Sequence, residues 1–91
     1  MKVRAMTWWI DGELVDHQTI DANRDVDLNE IRDEAEVVAE SIAADSGQTV
    51  QVRLHTIDAS PPLFGKVHHV ATDILLADPT DNVTHQWEVY P

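Results

Sequence analysis

The chain has 91 residues, no cysteine and a formal net charge of −11, from 17 acidic and 6 basic side chains. This length predicts a single domain over residues 1–91, and the lack of cysteine excludes disulfides and thiolate metal ligands. The negative charge disfavours direct binding to nucleic acid or to an anionic membrane surface, because both normally need a basic patch. No apolar run approaches the roughly 20 residues that cross a bilayer, and the N-terminus lacks a signal-peptide pattern, so we expect a cytoplasmic protein.

The first element in the chain is a predicted β-hairpin. The segment over 2–10 is rich in residues that suit a pleated sheet, and Asp11-Gly12 is the strongest short signal for a two-residue hairpin turn. A return strand over 13–21 follows. With regular pairing, the register places Trp8 opposite Val15.

Two tryptophans stand side by side in the first strand of this hairpin. Because successive side chains of a strand point to opposite faces, Trp8 and Trp9 must lie on opposite sides of the sheet. The face of Trp9 also carries Leu14 and Ile20, whereas Trp8 shares its face with a charged residue, Arg4. We therefore expect Trp9 to lie beneath a helix and Trp8 to lie on the open face.

Residues 27–47 predict a helix with both ends marked in the sequence. Asp27 is the expected N-cap, with Glu30 three residues later in a capping-box pattern, and Gly47 is the expected C-cap. Apolar residues at helical spacing form one stripe that we expect to face the sheet. This stripe consists of Leu28, Ile31, Ala35, Val38 and Ile42.

The C-terminal half predicts three strands, over 48–58, 67–77 and 82–90. Together with the hairpin and the helix, this gives the order ββαβββ. The sequence predicts an α+β domain with two layers, in which a mostly antiparallel β-sheet carries one helix on one face.

No pattern of residues indicates catalysis, a cofactor or a metal ion. Among the five histidines, the adjacent His68 and His69 diverge in a strand, so they are not expected to bind one ion together. Asp73 is the acid with the most apolar neighbours, and a cross-strand ion pair with Arg53 explains it more simply than general acid catalysis. No nucleophile elbow and no phosphate-binding loop is present, so we expect a protein that is not an enzyme.

The leading hypothesis is an interaction or inhibitor protein that binds a basic protein partner. Its acidic helix face would occupy a nucleic-acid-binding groove of that partner as a DNA mimic, and an aromatic patch around an exposed tryptophan would add an apolar contact. The expected contact residues are Trp8, Met6, Ile10, Asp33, Glu36 and Glu40.

Three alternatives stay open from the sequence. The first is a small ligand-binding domain or enzyme with a pocket between helix and sheet, lined by His85, Trp87 and Asp73. The second is an accessory domain whose acidity serves only solubility, since the scarcity of lysine and the excess of aspartate over glutamate resemble the composition of proteins from salt-loving microbes. The third is a homodimer that forms through an edge strand.

Overall fold

The computed structural model describes residues 2–20, 27–58 and 83–91 of the chain. The elements in these ranges form one antiparallel sheet with strand order β2-β1-β3-β4 and a helix packed on one face. The predicted two-layer α+β architecture is confirmed, and the predicted strand over 67–77 lies outside the described residues. In chain order the elements are β1 (Lys2–Ile10), β2 (Glu13–Ile20), α1 (Leu28–Ser46), β3 (Val50–Asp58) and β4 (Val83–Val89).

The hairpin of β1 and β2 turns at Asp11-Gly12 as predicted. Both residues have positive φ, 49° for Asp11 and 79° for Gly12. This is the backbone that a type I′ turn requires, and it suits the right-handed twist of the two flanking strands.

A β-bulge changes the register of this hairpin immediately after the turn. Trp9 pairs with Leu14 as expected, but the next pair is Trp8 with Asp16, so Val15 is the extra residue on β2. The predicted pairing of Trp8 with Val15 is therefore wrong. One inserted residue also reverses which face each later β2 side chain points to, because the side-chain period of a strand is two.

The helix covers the face of the sheet that carries Trp8, which corrects the expected orientation of the two tryptophans. Trp8 is 1% exposed, and its indole Nε1 donates to the Ala35 carbonyl oxygen of α1 at 3.0 Å. The physical reason lies in β3, which pairs with β1 on the side away from β2. Val52 pairs with Trp8 and Leu54 pairs with Met6, so the apolar side chains of the two central strands share one face and the helix packs there.

Small residues on α1 allow the helix to lie close to the sheet. Three of its buried positions are alanines, and only the buried Ile31 has a large side chain. Large side chains of the sheet fill the space below them, which gives the dense packing typical of a protein interior. The buried core cluster consists of Met6, Trp8, Ile31, Ala35, Ala39, Ala43, Val50, Val52 and Leu54.

Both predicted ends of α1 are confirmed. The Asp27 side chain accepts from the Asn29 backbone N–H at 3.0 Å, and Gly47 takes a left-handed conformation with its N–H donating to the Ala43 carbonyl oxygen at 2.8 Å. These contacts satisfy backbone groups that the helix itself leaves without partners. Within the described ranges, no helix combines the length and apolar character needed to cross a membrane.

We expect the substitution Asp27→Ala to lower the free energy of unfolding by about 1 kcal/mol, because the Asn29 N–H loses its acceptor at the helix start. Urea denaturation followed by far-ultraviolet circular dichroism measures this change. Asp33→Ala is the matched control, because it removes the same carboxylate from an exposed position inside the helix. Equal stability of the two variants would contradict the capping role of Asp27.

Candidate functional site

The structure separates the two groups of residues that the sequence predicts as partner contacts. Asp33 and Glu40 are exposed on the outer side of α1. Met6 and Trp8 are instead buried beneath the helix, and Ile10 is half-buried against the same core. The expected aromatic patch is therefore part of the core, and only the acidic part of the predicted contact surface lies on the outside of the protein.

The outward side of α1 forms a continuous acidic surface. Its central residue is Val37, whose side chain is 66% exposed in the middle of the helix. Carboxylates precede and follow it at spacings of three and four residues, which are neighbouring positions on a helix surface. We refer to this surface as the acidic face, and its carboxylates are Glu30, Asp33, Glu34, Glu36 and Glu40.

One carboxylate of the acidic face has a positively charged neighbour. Glu36 is half-buried, with its Oε1 atom 3.4 Å from Nε of Arg32. Exposed ion pairs of this kind contribute little to stability.

The other face of the sheet contains a buried polar network that the sequence did not reveal. The Trp9 indole Nε1 donates to the Thr7 hydroxyl at 2.7 Å, and the same hydroxyl lies 2.8 Å from Nε2 of His55. Thr7 and His55 are fully buried, and Trp9 is 5% exposed. His55 lies on the side of the sheet away from the helix and is buried there.

Arg53 continues this network toward the end of the sheet. Its guanidinium group lies over the Trp9 ring at 4.5 Å from the ring centre, and its Nη2 atom donates to Gln51 Oε1 at 2.7 Å. A cation over an indole face is a favourable contact, so Arg53 covers one side of the ring. The predicted ion pair between Arg53 and Asp73 concerns a residue outside the described ranges.

A cavity of about 480 Å³ lies between the first turn of α1 and strand β4. His85 and Trp87 line it, as the ligand-binding alternative predicts, and Asp73 lies outside the described residues. Both apolar and polar groups face this space. The lining residues are Leu28, Asn29, Arg32, Leu54, Thr84, His85, Gln86 and Trp87.

A hydrogen bond links His85 to Thr84 at the cavity. The Thr84 hydroxyl lies 3.2 Å from the Leu54 carbonyl oxygen, and His85 Nδ1 lies 3.1 Å from the same hydroxyl oxygen. When the hydroxyl donates to Leu54, neutral His85 donates from Nδ1 to Thr84 and keeps Nε2 as a hydrogen-bond acceptor.

The described histidines do not lie together. His55 is buried on one face of the sheet, His85 borders the cavity on the other, and His17 is exposed on β2. No group of three or more residues suited to bind a metal ion occurs among the described residues. His68 and His69 lie outside these ranges.

Near the end of the chain, a hydrogen bond perturbs one titratable group. The Tyr90 hydroxyl donates to Glu88 Oε2 at 3.1 Å. This bond, together with the negative charge of the carboxylate, raises the pKa of Tyr90 above its ordinary value of 10.0. The phenol therefore stays neutral through the physiological pH range.

Comparison with known proteins gives no relative for this chain: no protein family, no curated protein and no solved structure matches it. The roles proposed below therefore depend on burial, charge and contacts within the chain itself.

Proposed function

We propose that this protein is a small, non-catalytic inhibitor of the cytoplasm that binds a basic protein partner through the acidic face. The face would occupy a groove in which that partner holds nucleic acid. The observation that carries this proposal is the row of exposed carboxylates on the outer side of α1. A row of negative charges on a rigid helix complements a row of lysines and arginines in such a groove.

The spacing of these charges supports nucleic-acid mimicry. The five carboxylates of the acidic face occur between Glu30 and Glu40, with Arg32 as the single basic residue in that stretch. A helix rises about 1.5 Å per residue, so they extend over about 15 Å, or about one charge per 4 Å. One strand of DNA carries one phosphate per about 3.4 Å, so a groove that binds phosphates meets a similar density of charge on the helix.

The exposed Val37 gives the acidic face an apolar centre that a protein partner would cover. In a protein interface, an apolar centre surrounded by polar residues is the usual arrangement, because the rim excludes water from the centre. Val37 would supply a contact that salt does not screen.

Self-association through an edge strand is the less favoured proposal. In the described sheet, β2 and β4 are the edge strands, and each contains a bulge. The extra residues are Val15 on β2 and Thr84 on β4. Bulges interrupt the regular row of backbone groups that another strand would need for pairing, so both edges are poor templates for a second copy.

The proposal predicts that neutralising the acidic face weakens capture of a basic partner. The test variant carries Asp33→Asn, Glu34→Gln and Glu40→Gln, and it leaves Glu36 in contact with Arg32. The experiment is a pull-down with tagged protein from a lysate of the source cell, at low and at physiological salt. Mass spectrometry would identify the proteins that are retained. We expect the test variant to retain at least about tenfold less of a nucleic-acid-binding protein, and we expect added DNA to release that protein from the wild type.

The matched control removes three negative charges from the hairpin and leaves the helix unchanged. Three exposed carboxylates of the hairpin are exchanged for amides. These exchanges are Asp11→Asn, Glu13→Gln and Asp16→Asn. If both triple variants lose binding equally, net charge and not the acidic face causes retention. If neither loses binding and molar salt is required for folding, the acidity serves hydration and the proposal is wrong.

A further inference from the structure

The first turn of α1 is not packed against the sheet as its apolar sequence pattern predicts. Leu28 belongs to the apolar stripe that faces the sheet, as does the buried Ile31 one turn later, yet Leu28 is 43% exposed. The space beside it is the cavity of about 480 Å³. This space is a cleft partly open to solvent, and its volume lies within the range of ligand pockets.

Arg32 presents hydrogen-bond donors at this cavity. Its guanidinium group lies over the Trp87 ring at 5.1 Å from the ring centre, and its Nε atom contacts Glu36. The Arg32 side chain is 59% exposed, so its two terminal amino groups are accessible to an incoming anion. A planar guanidinium is suited to bind a carboxylate through two parallel hydrogen bonds.

Trp87 gives the cavity an apolar wall and has an unusual feature of its own. Its indole Nε1 is buried and makes no hydrogen bond in the part of the chain that the structure describes. A buried donor without a partner costs about 1–3 kcal/mol and is rare in native proteins. Such a cost is more often tolerated at binding sites than in regions that serve only the fold.

We propose that this cavity binds a small monocarboxylate with an apolar body. The terminal amino groups of Arg32 would bind the carboxylate, while Leu28, Leu54 and the Trp87 ring would contact the apolar body. Nε2 of neutral His85 would accept a hydrogen bond from a hydroxyl or amide group on ligands that carry one. This site adjoins the acidic face, because Arg32 also contacts Glu36, but its occupation does not depend on a protein partner.

The overall negative charge does not exclude this ligand. Charges separated by more than about 8 Å are largely screened at physiological ionic strength, so the nearest groups determine binding of a small anion. Among these is the Arg32 guanidinium at the cavity wall. Glu36 contacts the Arg32 Nε atom, and Asp27 already caps the N-terminal end of α1, so Arg32 is the group that would attract the ligand, in competition with Glu36.

The test uses benzoate as the probe and benzyl alcohol as its uncharged counterpart of similar size. Titration of the labelled full-length protein by ¹H–¹⁵N NMR follows the backbone amides of Leu28, Leu54 and His85. We expect saturable shifts with benzoate at these amides and about tenfold weaker binding of benzyl alcohol, because it cannot form charge-assisted hydrogen bonds with Arg32.

Two arginine variants distinguish a local contact from a general charge effect. Arg32→Met keeps an apolar side chain of similar length and is expected to weaken benzoate binding about tenfold. Arg53→Met removes the same charge from the opposite face of the sheet and should leave binding unchanged. Equal weakening in both variants, or shifts with benzoate that never saturate, would overturn the proposal.

A third variant fills the cavity, so that the test does not depend on Arg32 alone. Leu28→Trp places a larger ring at a partly exposed position beside the empty volume and is expected to abolish the shifts at Leu54 and His85. Circular dichroism would establish that each variant keeps its helix and sheet. If Leu28→Trp is folded and binds benzoate as tightly as the wild type, the ligand does not occupy this cavity.

Discussion

Replacement of Trp8 by alanine is expected to lower the free energy of unfolding by about 3–5 kcal/mol, as is typical for a large aromatic side chain removed from a core. The ring is 1% exposed and packs between the sheet and the helix, and its Nε1 atom donates to the Ala35 carbonyl oxygen. A domain of this size has a total stability of about 5–14 kcal/mol, so the loss would take a large part of it. Urea denaturation followed by circular dichroism measures the difference.

Two further variants make this result specific. Trp8→Phe keeps most of the ring but removes the donor to Ala35, and we expect a loss clearly smaller than that of the alanine variant. Val37→Ala removes an apolar side chain from the exposed side of the same helix and should change stability by less than about 0.5 kcal/mol. If Trp8→Ala costs no more than Val37→Ala, the ring is not the centre of the core and the assignment of the helix to this face is wrong.

The features predicted correctly from the sequence depend on local chemistry. Asp11-Gly12 specifies its turn because both residues tolerate positive φ, and Asp27 and Gly47 specify the helix ends through contacts within one turn. Each of these signals involves residues that are close together in the chain. They require no knowledge of which strands pair.

The orientation of the tryptophans was predicted wrongly because it depends on contacts that are distant in the chain. The prediction for Trp9 depended on a regular register along β2, but the bulge at Val15 shifts every pair from Trp8 onward. The apolar residues that decide the core face belong to β3, where Val52 pairs with Trp8. Nothing in residues 2–20 alone shows that β3 pairs with β1, so the hairpin sequence was insufficient.

The difference between features set by nearby residues and features set by distant contacts also applies to the acidic face and the cavity. The acidic face was predictable because helical periodicity determines which residues oppose the apolar stripe. The cavity was predicted only in outline, through His85 and Trp87, since its size depends on how Leu28 meets β4. The buried network was missed, although Thr7 and His55 lie on the two strands that form the centre of the sheet, where polar residues also become buried.

Replacement of Thr7 by valine is expected to lower the free energy of unfolding by about 2–4 kcal/mol, although the two side chains have nearly the same shape. The change removes the hydroxyl that accepts from Trp9 Nε1 and contacts His55 Nε2. The indole N–H is then left in a buried place without an acceptor, which alone costs about 1–3 kcal/mol. Thermal and urea unfolding would both report the loss.

A double variant tests whether the network, and not the valine itself, causes this loss. Trp9→Phe removes the donor that Thr7→Val leaves without an acceptor, so the double variant should lose less stability than the sum of the two single variants, by at least about 0.5 kcal/mol. Thr19→Val makes the same exchange at a half-buried position on β2 and should have little effect. Strict additivity of Thr7→Val and Trp9→Phe would show that the hydrogen bond from Trp9 does not cause the loss, which would then come from the contact between Thr7 and His55.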